Sequence, residues 1–217
     1  ERSFNKLFEG TVDYITQFGN HSIAAVAGAS YQYFLYDGSE MSNGGFPTDN
    51  AKYYIIENGD AEKTKMKIKS YRNSNTLISF FGRVNYNYLD KYLLSGSLRR
   101  EASSRFGDNN KWGLFPALSA GWRVTGEDFM ENVTWVDDLK VRFGFGVTGN
   151  NLGSDLKSKE LLSNKGTFWY NGKWVTAYGV TQNANEDLKW EKKYEYNLGI
   201  DYALLKNRLY GSIDAYV

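Results

Sequence analysis

The feature that most constrains the fold of this chain is a two-residue alternation of apolar and polar side chains that recurs along the sequence. It is clearest in residues 81–100, FGRVNYNYLDKYLLSGSLRR. Successive side chains of a β-strand point to opposite faces of the sheet. The segment therefore predicts a hairpin turned at Asp90-Lys91, with tyrosines on its apolar face and Arg83 and Arg99 on its polar face.

The same alternation predicts about eight antiparallel strands of roughly 9 to 14 residues each. Their approximate ranges are 8–14, 22–35, 78–88, 92–100, 114–124, 139–147, 194–202 and 209–217. Strands of soluble sheets usually have about five or six residues, whereas a tilted strand needs about 9 to 11 to cross a membrane. The lengths favour membrane strands.

The connections between these segments alternate in length. Short turns are expected at Gly19-Asn20, Asp90-Lys91 and Lys206-Asn207, and residues 125–137 have room for one helical turn. Long connections are expected at residues 37–75, 102–111 and 150–189. If short and long connections alternate strictly, all short turns lie on one side, as in outer-membrane β-barrels. Pro116 removes a backbone donor from the fifth segment, and we expect it near the long-connection end of that strand.

Composition excludes several function classes. The 217 residues carry 26 basic and 25 acidic side chains, and this balanced charge does not indicate nucleic-acid binding. There is no cysteine and one histidine, which excludes thiolate metal sites and leaves no basis for a predicted metal, cofactor or catalytic site. Adjacent carboxylates such as Asp137-Asp138 lie in or beside connections, and we expect no enzyme activity.

Aromatic residues make up 17% of the chain, and tyrosine and tryptophan favour the boundary between apolar and aqueous surroundings. The apolar face is therefore predicted to contact outer-membrane lipid, and the polar face to line a lumen. An aromatic girdle is expected near the short turns, formed by Tyr86, Tyr88, Tyr92, Trp122 and Tyr202.

Three long segments carry a family resemblance: residues 80–124, residues 137–151 and residues 188–217, which reads LKWEKKYEYNLGIDYALLKNRLYGSIDAYV. They are similar to the barrel of SusC/RagA-like TonB-dependent transporters, the outer-membrane nutrient importers of Bacteroidota. The resemblance covers residues 70–217 strongly and the first 70 residues more loosely.

The resemblance implies an all-β, up-and-down barrel of about 22 strands, closed around a plug domain. It also implies energy coupling through the TonB complex, which contacts the plug region, and a SusD-like surface lipoprotein as partner. The chain itself is expected to be part of a single barrel domain, residues 1–217, without the plug. Eight strands are too few for that barrel, so the sheet is expected to be curved and unclosed.

Three groups of residues are candidates for function. Trp169, Tyr170, Trp174 and Tyr178 cluster in the longest connection and are the candidate ligand-binding residues. Arg83, Arg99, Arg123 and Arg142 are predicted to face the lumen, where acids such as Glu195 and Asp201 or the plug would pair with them. The sequence KTKMKIK places Lys63, Lys65, Lys67 and Lys69 on one side of an extended segment, which favours a solvated face over a contact with lipopolysaccharide or a partner.

The sequence thus predicts part of a transporter that imports glycans or peptides across the outer membrane of a Gram-negative, Bacteroidota-like cell. A passive or structural barrel is the alternative, and it would lack a plug and a TonB-contacting segment. A soluble carbohydrate-binding β module is a third hypothesis, and solubility without detergent would distinguish it.

Overall fold

The computed structural model describes residues 1–50, 54–60, 66–151 and 155–217. Within these ranges the chain forms ten β-strands. They are β1 (Arg2–Phe18), β2 (His21–Ser42), β3 (Lys67–Tyr88), β4 (Tyr92–Ser103), β5 (Trp112–Arg123), β6 (Val136–Asn150), β7 (Leu161–Tyr170), β8 (Lys173–Gln182), β9 (Glu191–Leu204) and β10 (Leu209–Tyr216).

Eight of the strands form one antiparallel sheet in the order β1-β2-β3-β4-β5-β6-β9-β10, and β7 and β8 form a separate hairpin. The eight strands of the sheet are those that the alternation predicts, and they follow one another up and down in chain order. The sheet is open, because β1 and β10 are its edges and do not pair with each other. The predicted all-β, unclosed sheet is confirmed.

Two predictions about length are wrong. β2 and β3 each have 22 residues and pair from His21↔Tyr88 to Ser42↔Lys67, so both run deep into the segment that was expected to be a connection. Alternation weakens there because both faces are polar, while backbone pairing continues without interruption. The connection predicted at residues 150–189 is also not irregular throughout, because it contains β7 and β8.

The strand register places the alternating residues on two continuous faces. The apolar face, as we name it, is formed across the sheet by alternate residues of each strand, and the residues at mid-height are Val12, Ala27, Gly82, Leu98, Leu118, Phe145, Tyr196 and Ala215. Leu98, Leu118 and Tyr196 are about half exposed. An apolar surface that runs across all eight strands of a sheet is typical of contact with lipid.

The predicted short turns are confirmed and lie at one end of the sheet, which we call the short-turn end. Gly19, Asp90 and Lys206 all have positive φ angles there, as tight hairpins require. The connection from β5 to β6 lies at the same end and contains two short 3₁₀ turns, Val124–Gly126 and Asp128–Met130. No helix in the described ranges is long and apolar enough to cross a membrane.

The other end, which we call the long-connection end, contains the main buried cluster of the described residues. Phe106, Phe115, Val147 and Trp190 are its buried members. The connections before β5 and before β9 approach closely here, since a Cβ at Gly107 would lie 1.9 Å from the carbonyl oxygen of Glu186. Glycine at position 107 therefore lets two connections pack as one unit.

Pro116 lies within β5, opposite Leu98 of β4. The β5–β6 ladder begins only at Ala117, so Pro116 is the last position of β5 without a partner on β6. The missing backbone donor is tolerated because one side of the strand is not paired there.

Candidate functional site

The polar face holds the four arginines predicted to share one surface. Arg83 lies opposite Ser97, Arg99 opposite Phe81, Arg123 opposite Lys140, and Arg142 opposite Gly199, all in alternation with apolar-face residues. The structure therefore brings them to one face of the sheet, on different strands.

Arg142 is the centre of an ion-pair network that joins three strands. Its Nε and Nη2 atoms each lie 2.8 Å from the Asp201 carboxylate of β9, and Nη2 lies 3.1 Å from Asp214 Oδ1 of β10. A planar guanidinium that binds one carboxylate with two nitrogens fixes both direction and distance. The expected pairing of an arginine with Asp201 is present, whereas Glu195 pairs with Lys193.

The other three arginines differ in their partners. Arg99 pairs with Glu101 on its own strand at 3.0 Å, and Arg123 pairs with Asp138 at 3.3 Å. Arg83 has no ion-pair partner in the described part of the chain, and both cross-strand neighbours, Val26 and Ser97, are uncharged. Of the four predicted arginines, it is the one that remains available to a group outside this sheet.

The four candidate aromatics lie on the β7–β8 hairpin, but not on one face. Trp169 and Trp174 are directly opposite each other, with ring centroids 5.5 Å apart, and Tyr178 follows on the same face. Tyr170 points to the other face, where its ring is 6.3 Å from that of Phe168. The hairpin thus has two aromatic faces, and all four candidates are at least 59% exposed.

The sequence carries a signal for this hairpin that the alternation analysis missed. Asn171 and Gly172 have φ angles of 49° and 77°, which is the conformation of a two-residue turn that favours Asn-Gly. An Asn-Gly pair flanked by aromatic and β-branched residues is a strong hairpin signal. At its base, the Gln182 side-chain amide donates 2.8 Å hydrogen bonds to the carbonyls of Leu156 and Lys159.

A carboxylate organises the aromatic residues of the short-turn end. Glu127 Oε1 accepts hydrogen bonds from Tyr92 Oη at 2.6 Å and from Trp122 Nε1 at 2.9 Å, and Lys91 Nζ lies 3.6 Å from Oε2. The hydrogen bond from Tyr92, followed by that from Trp122, lowers the pKa of the Glu127 carboxyl against the opposing effect of desolvation. Sequence analysis grouped the aromatics but gave no sign of this acceptor.

Near this carboxylate the predicted girdle forms a row of rings. Tyr88 and Tyr92 stack at 6.2 Å, and His21 lies 4.7 Å from Tyr88 and 5.0 Å from Phe18. His21 Nδ1 is also 2.8 Å from Tyr86 Oη. Four neighbouring strands thus contribute to one aromatic row.

A cavity of about 670 Å³ lies on the polar face of β1–β3 at the long-connection end. Ser3 and Asn5 of β1, Phe34 and Tyr36 of β2, and Asn73 and Asn75 of β3 line it in two cross-strand rows. Each row has an aromatic ring in the middle, flanked by polar side chains on the neighbouring strands.

An ion pair from two connections covers one side of this cavity. Arg105 Nε lies 2.7 Å from Asp155 Oδ1, and Arg105 Nη1 donates a 3.0 Å hydrogen bond to the carbonyl of Asn151. The buried Asn75 donates from Nδ2 to the same Asp155 oxygen at 3.0 Å. No sequence pattern indicates this site, because its residues are distant in sequence and lie where connections were expected.

The four lysines of KTKMKIK are described only in part. Lys63 and Lys65 lie outside the described residues, and Lys67 and Lys69 are exposed at the start of β3. In the described ranges no group of three or more histidine, aspartate or glutamate side chains is arranged to hold a metal ion.

Comparison with known proteins decides the family. The family described as "TonB dependent receptor-like, beta-barrel" matches residues 2–217. This chain belongs to that family. It is a family of outer-membrane receptors and transporters rather than of enzymes.

Curated relatives agree with this assignment. The TonB-dependent receptor SusC of Bacteroides thetaiotaomicron is 35% identical over 216 residues, covering 98% of this chain and 21% of SusC. The TonB-dependent receptor P39 of Formosa agariphila is 36% identical over 203 residues, covering 91% of this chain and 18% of P39. The chain thus spans about a fifth of the length of these relatives.

Solved structures agree on the fold. The RagAB peptide transporter matches 99% of this chain with a TM-score of 0.82 at 24% identity, and the chain covers 23% of that structure's chain. The siderophore receptor PirA of Acinetobacter baumannii matches 98% with a TM-score of 0.52 at 14% identity. The arrangement of eight paired strands is therefore a shared barrel wall.

Proposed function

We propose that this chain forms part of the barrel wall of a TonB-dependent outer-membrane importer of glycans or peptides. The observation that carries the proposal is the two-faced, open antiparallel sheet, matched to the receptor barrel family over residues 2–217. An open sheet in lipid leaves backbone groups of its edge strands without partners, so further strands must complete the barrel.

In this proposal each face has one environment. The apolar face contacts lipid, with the aromatic row around Tyr88 and Tyr92 at the boundary on the short-turn side. The polar face lines the lumen, where Arg99, Arg123 and Arg142 are held by acids of the wall. Arg83, which none of these acids holds, is available to the plug domain or to a passing solute.

The partners follow from the same assignment. A plug domain elsewhere in the full-length protein would contact the TonB complex, and a SusD-like surface lipoprotein would meet the long-connection end. The exposed Trp169, Trp174 and Tyr178 of the hairpin suit either substrate capture or a contact with that lipoprotein. A Bacteroidota-like cell is the proposed source, in line with the SusC relative.

Uptake by cells tests the proposal. The gene for the full-length protein is deleted and then restored, in cells with and without TonB, and uptake of fluorescent oligosaccharides and oligopeptides is measured. We expect uptake of one class to need both the protein and TonB. Uptake that needs the protein but persists without TonB would replace the proposal with a passive barrel.

A further inference from the structure

We propose that the cavity on the polar face of β1–β3 is a binding site for a neutral oligosaccharide. Phe34 and Tyr36 would provide the stacking surface, and Asn5 and Asn73 the hydrogen bonds to hydroxyl groups. The inference rests on the proposed import function, and it selects between the two substrate classes named there.

Charge compensation in the cavity favours a neutral ligand. The cationic Arg105 and the anionic Asp155 lie 2.7 Å apart, and Asp155 also accepts a hydrogen bond from Asn75. These two charges compensate each other, so neither is left to bind a charged ligand. An acidic sugar or a peptide carboxylate would lose hydration here without gaining an opposite charge, and the Glu1 carboxylate, whose Oε1 lies 2.6 Å from Tyr36 Oη, adds a further negative charge at this end.

The amide side chains of the cavity suit the hydroxyl groups of a sugar. A carboxamide both donates and accepts hydrogen bonds, as a sugar hydroxyl does. Asn73 is half-buried, and its side chain has no hydrogen-bond partner in the described ranges. Asn5 lines the cavity and uses only its oxygen, which accepts a 3.3 Å hydrogen bond from Gln32 Nε2; its amide nitrogen has no hydrogen-bond partner in the described ranges.

The placement of the two aromatic rings suits stacking on a sugar. Phe34 and Tyr36 are two positions apart on β2 and therefore project from the same face, about 7 Å apart along the strand. Tyr36 is stacked on Tyr71 at 5.2 Å, which holds its ring in place. Apolar ring surfaces with a few placed polar groups are the usual composition of small-ligand sites, and about 670 Å³ is within their usual size.

The site also has a position that suits capture. It lies on the polar face of β1–β3, at the long-connection end. Asn5, Phe34 and Asn75 are direct cross-strand neighbours, so paired strands rather than a loop set their spacing. A site on paired strands can be ready to bind before the ligand arrives.

The test uses the purified full-length transporter in detergent and isothermal titration. The probes are maltohexaose, xylohexaose, mannohexaose and laminarihexaose, with hexagalacturonate and a mixed hexapeptide as charged probes. We expect at least one neutral hexasaccharide to bind, and Tyr36→Ala and Asn73→Leu to weaken it at least about tenfold. Tyr36→Phe keeps the ring, and its affinity should stay close to that of the unsubstituted protein.

Matched controls lie on the same face, nearer the short-turn end. Asn85→Leu and Phe81→Ala remove an amide and a ring from the polar face of β3 outside the cavity, and they should not change the affinity. Each variant is accepted as folded only if its band shifts on heating in an SDS gel as that of the unsubstituted protein does.

Three results would overturn the inference: no neutral hexasaccharide binds, the charged probes bind as well as the neutral ones, or Tyr36→Ala and Asn73→Leu bind normally. If these variants leave TonB-dependent uptake of peptides intact, the proposed sugar site is rejected and the importer proposal is retained. If no TonB-dependent uptake is found, the importer proposal itself is rejected.

Discussion

At the scale of single residues, the structure shows charged side chains that connect neighbouring strands of the barrel wall at defined positions. The Glu127 carboxylate is one of these, because Tyr92 and Trp122 both donate to one of its oxygens. It links the start of β4, the end of β5 and the connection that follows. Its two aromatic partners were predictable as girdle residues, but the carboxylate was not, because adjacent acids in a connection are usually solvated.

Substitution of Glu127 by glutamine should lower the thermal stability of the full-length protein and flatten its dependence on acid pH. Because the pKa of the Glu127 carboxyl is lower in the folded protein, its stabilisation is complete above the usual value of about 4.3. It is lost as the pH falls through the folded value. Thermal unfolding between pH 7 and pH 3, followed by tryptophan fluorescence, measures this.

Asp128→Asn is the matched control for Glu127→Gln. Asp128 is the next residue and also lies 3.6 Å from Lys91, but its side chain is 96% exposed. We expect it to leave the acid dependence unchanged. An equal effect of both substitutions would mean that nearby charge, and not the hydrogen bonds from Tyr92 and Trp122, sets the stability here.

Arg142 is the second side chain of this kind. Its planar guanidinium binds Asp201 with two nitrogens, and lysine cannot reproduce this geometry. Arg142→Lys keeps the charge but loses the paired contacts to Asp201, and we expect a loss of about 1 kcal/mol, since the groups are partly exposed and screened. The double variant Arg142→Ala/Asp201→Ala should cost less than the sum of the losses of its two single variants. A double-mutant cycle on urea unfolding measures the coupling, and a coupling of zero would contradict the network.

At the scale of elements, alternation was sufficient to predict the eight strands of the sheet but not their full length. β2 and β3 continue to Ser42 and from Lys67 by backbone pairing alone, where the side chains no longer alternate. The hairpin of β7 and β8 was missed for a different reason, because both of its faces are aromatic and its signal lies in the turn. The cavity depends on the extended part of β2 and β3 and on the connections that carry Arg105 and Asp155, so its site could not be assembled from the sequence.

The β7–β8 hairpin should depend on its turn. Gly172 has a φ of 77°, which a β-branched residue adopts only with strain of order 1–3 kcal/mol. A two-stranded hairpin is marginally stable, so Gly172→Val should open it and leave the sheet intact. Limited proteolysis of whole cells should then cut near residues 165–175, while Thr176→Val on the same hairpin stays protected. Equal protection of both variants would show that other contacts hold the hairpin.

At the scale of the whole molecule, the strand register decides which residues meet lipid. A shift of one residue would move every side chain of a strand to the other face. Ser30 and Ser79 report this register directly, because they are cross-strand partners whose hydroxyl oxygens lie 2.7 Å apart. The chain has no cysteine of its own, so introduced cysteines give an unambiguous signal.

The double variant Ser30→Cys/Ser79→Cys of the full-length protein should therefore form a disulfide under mild oxidation, since directly opposed residues of paired strands are within reach of one. The matched control is Ser30→Cys/Ser95→Cys, which places the second cysteine on β4, with β3 between the two positions. Mobility on a non-reducing gel, before and after reduction, measures the cross-link. A cross-link in the control pair, or none in the first pair, would mean that β2 and β3 pair in another register. Different residues would then be assigned to the lipid face and to the lumen face.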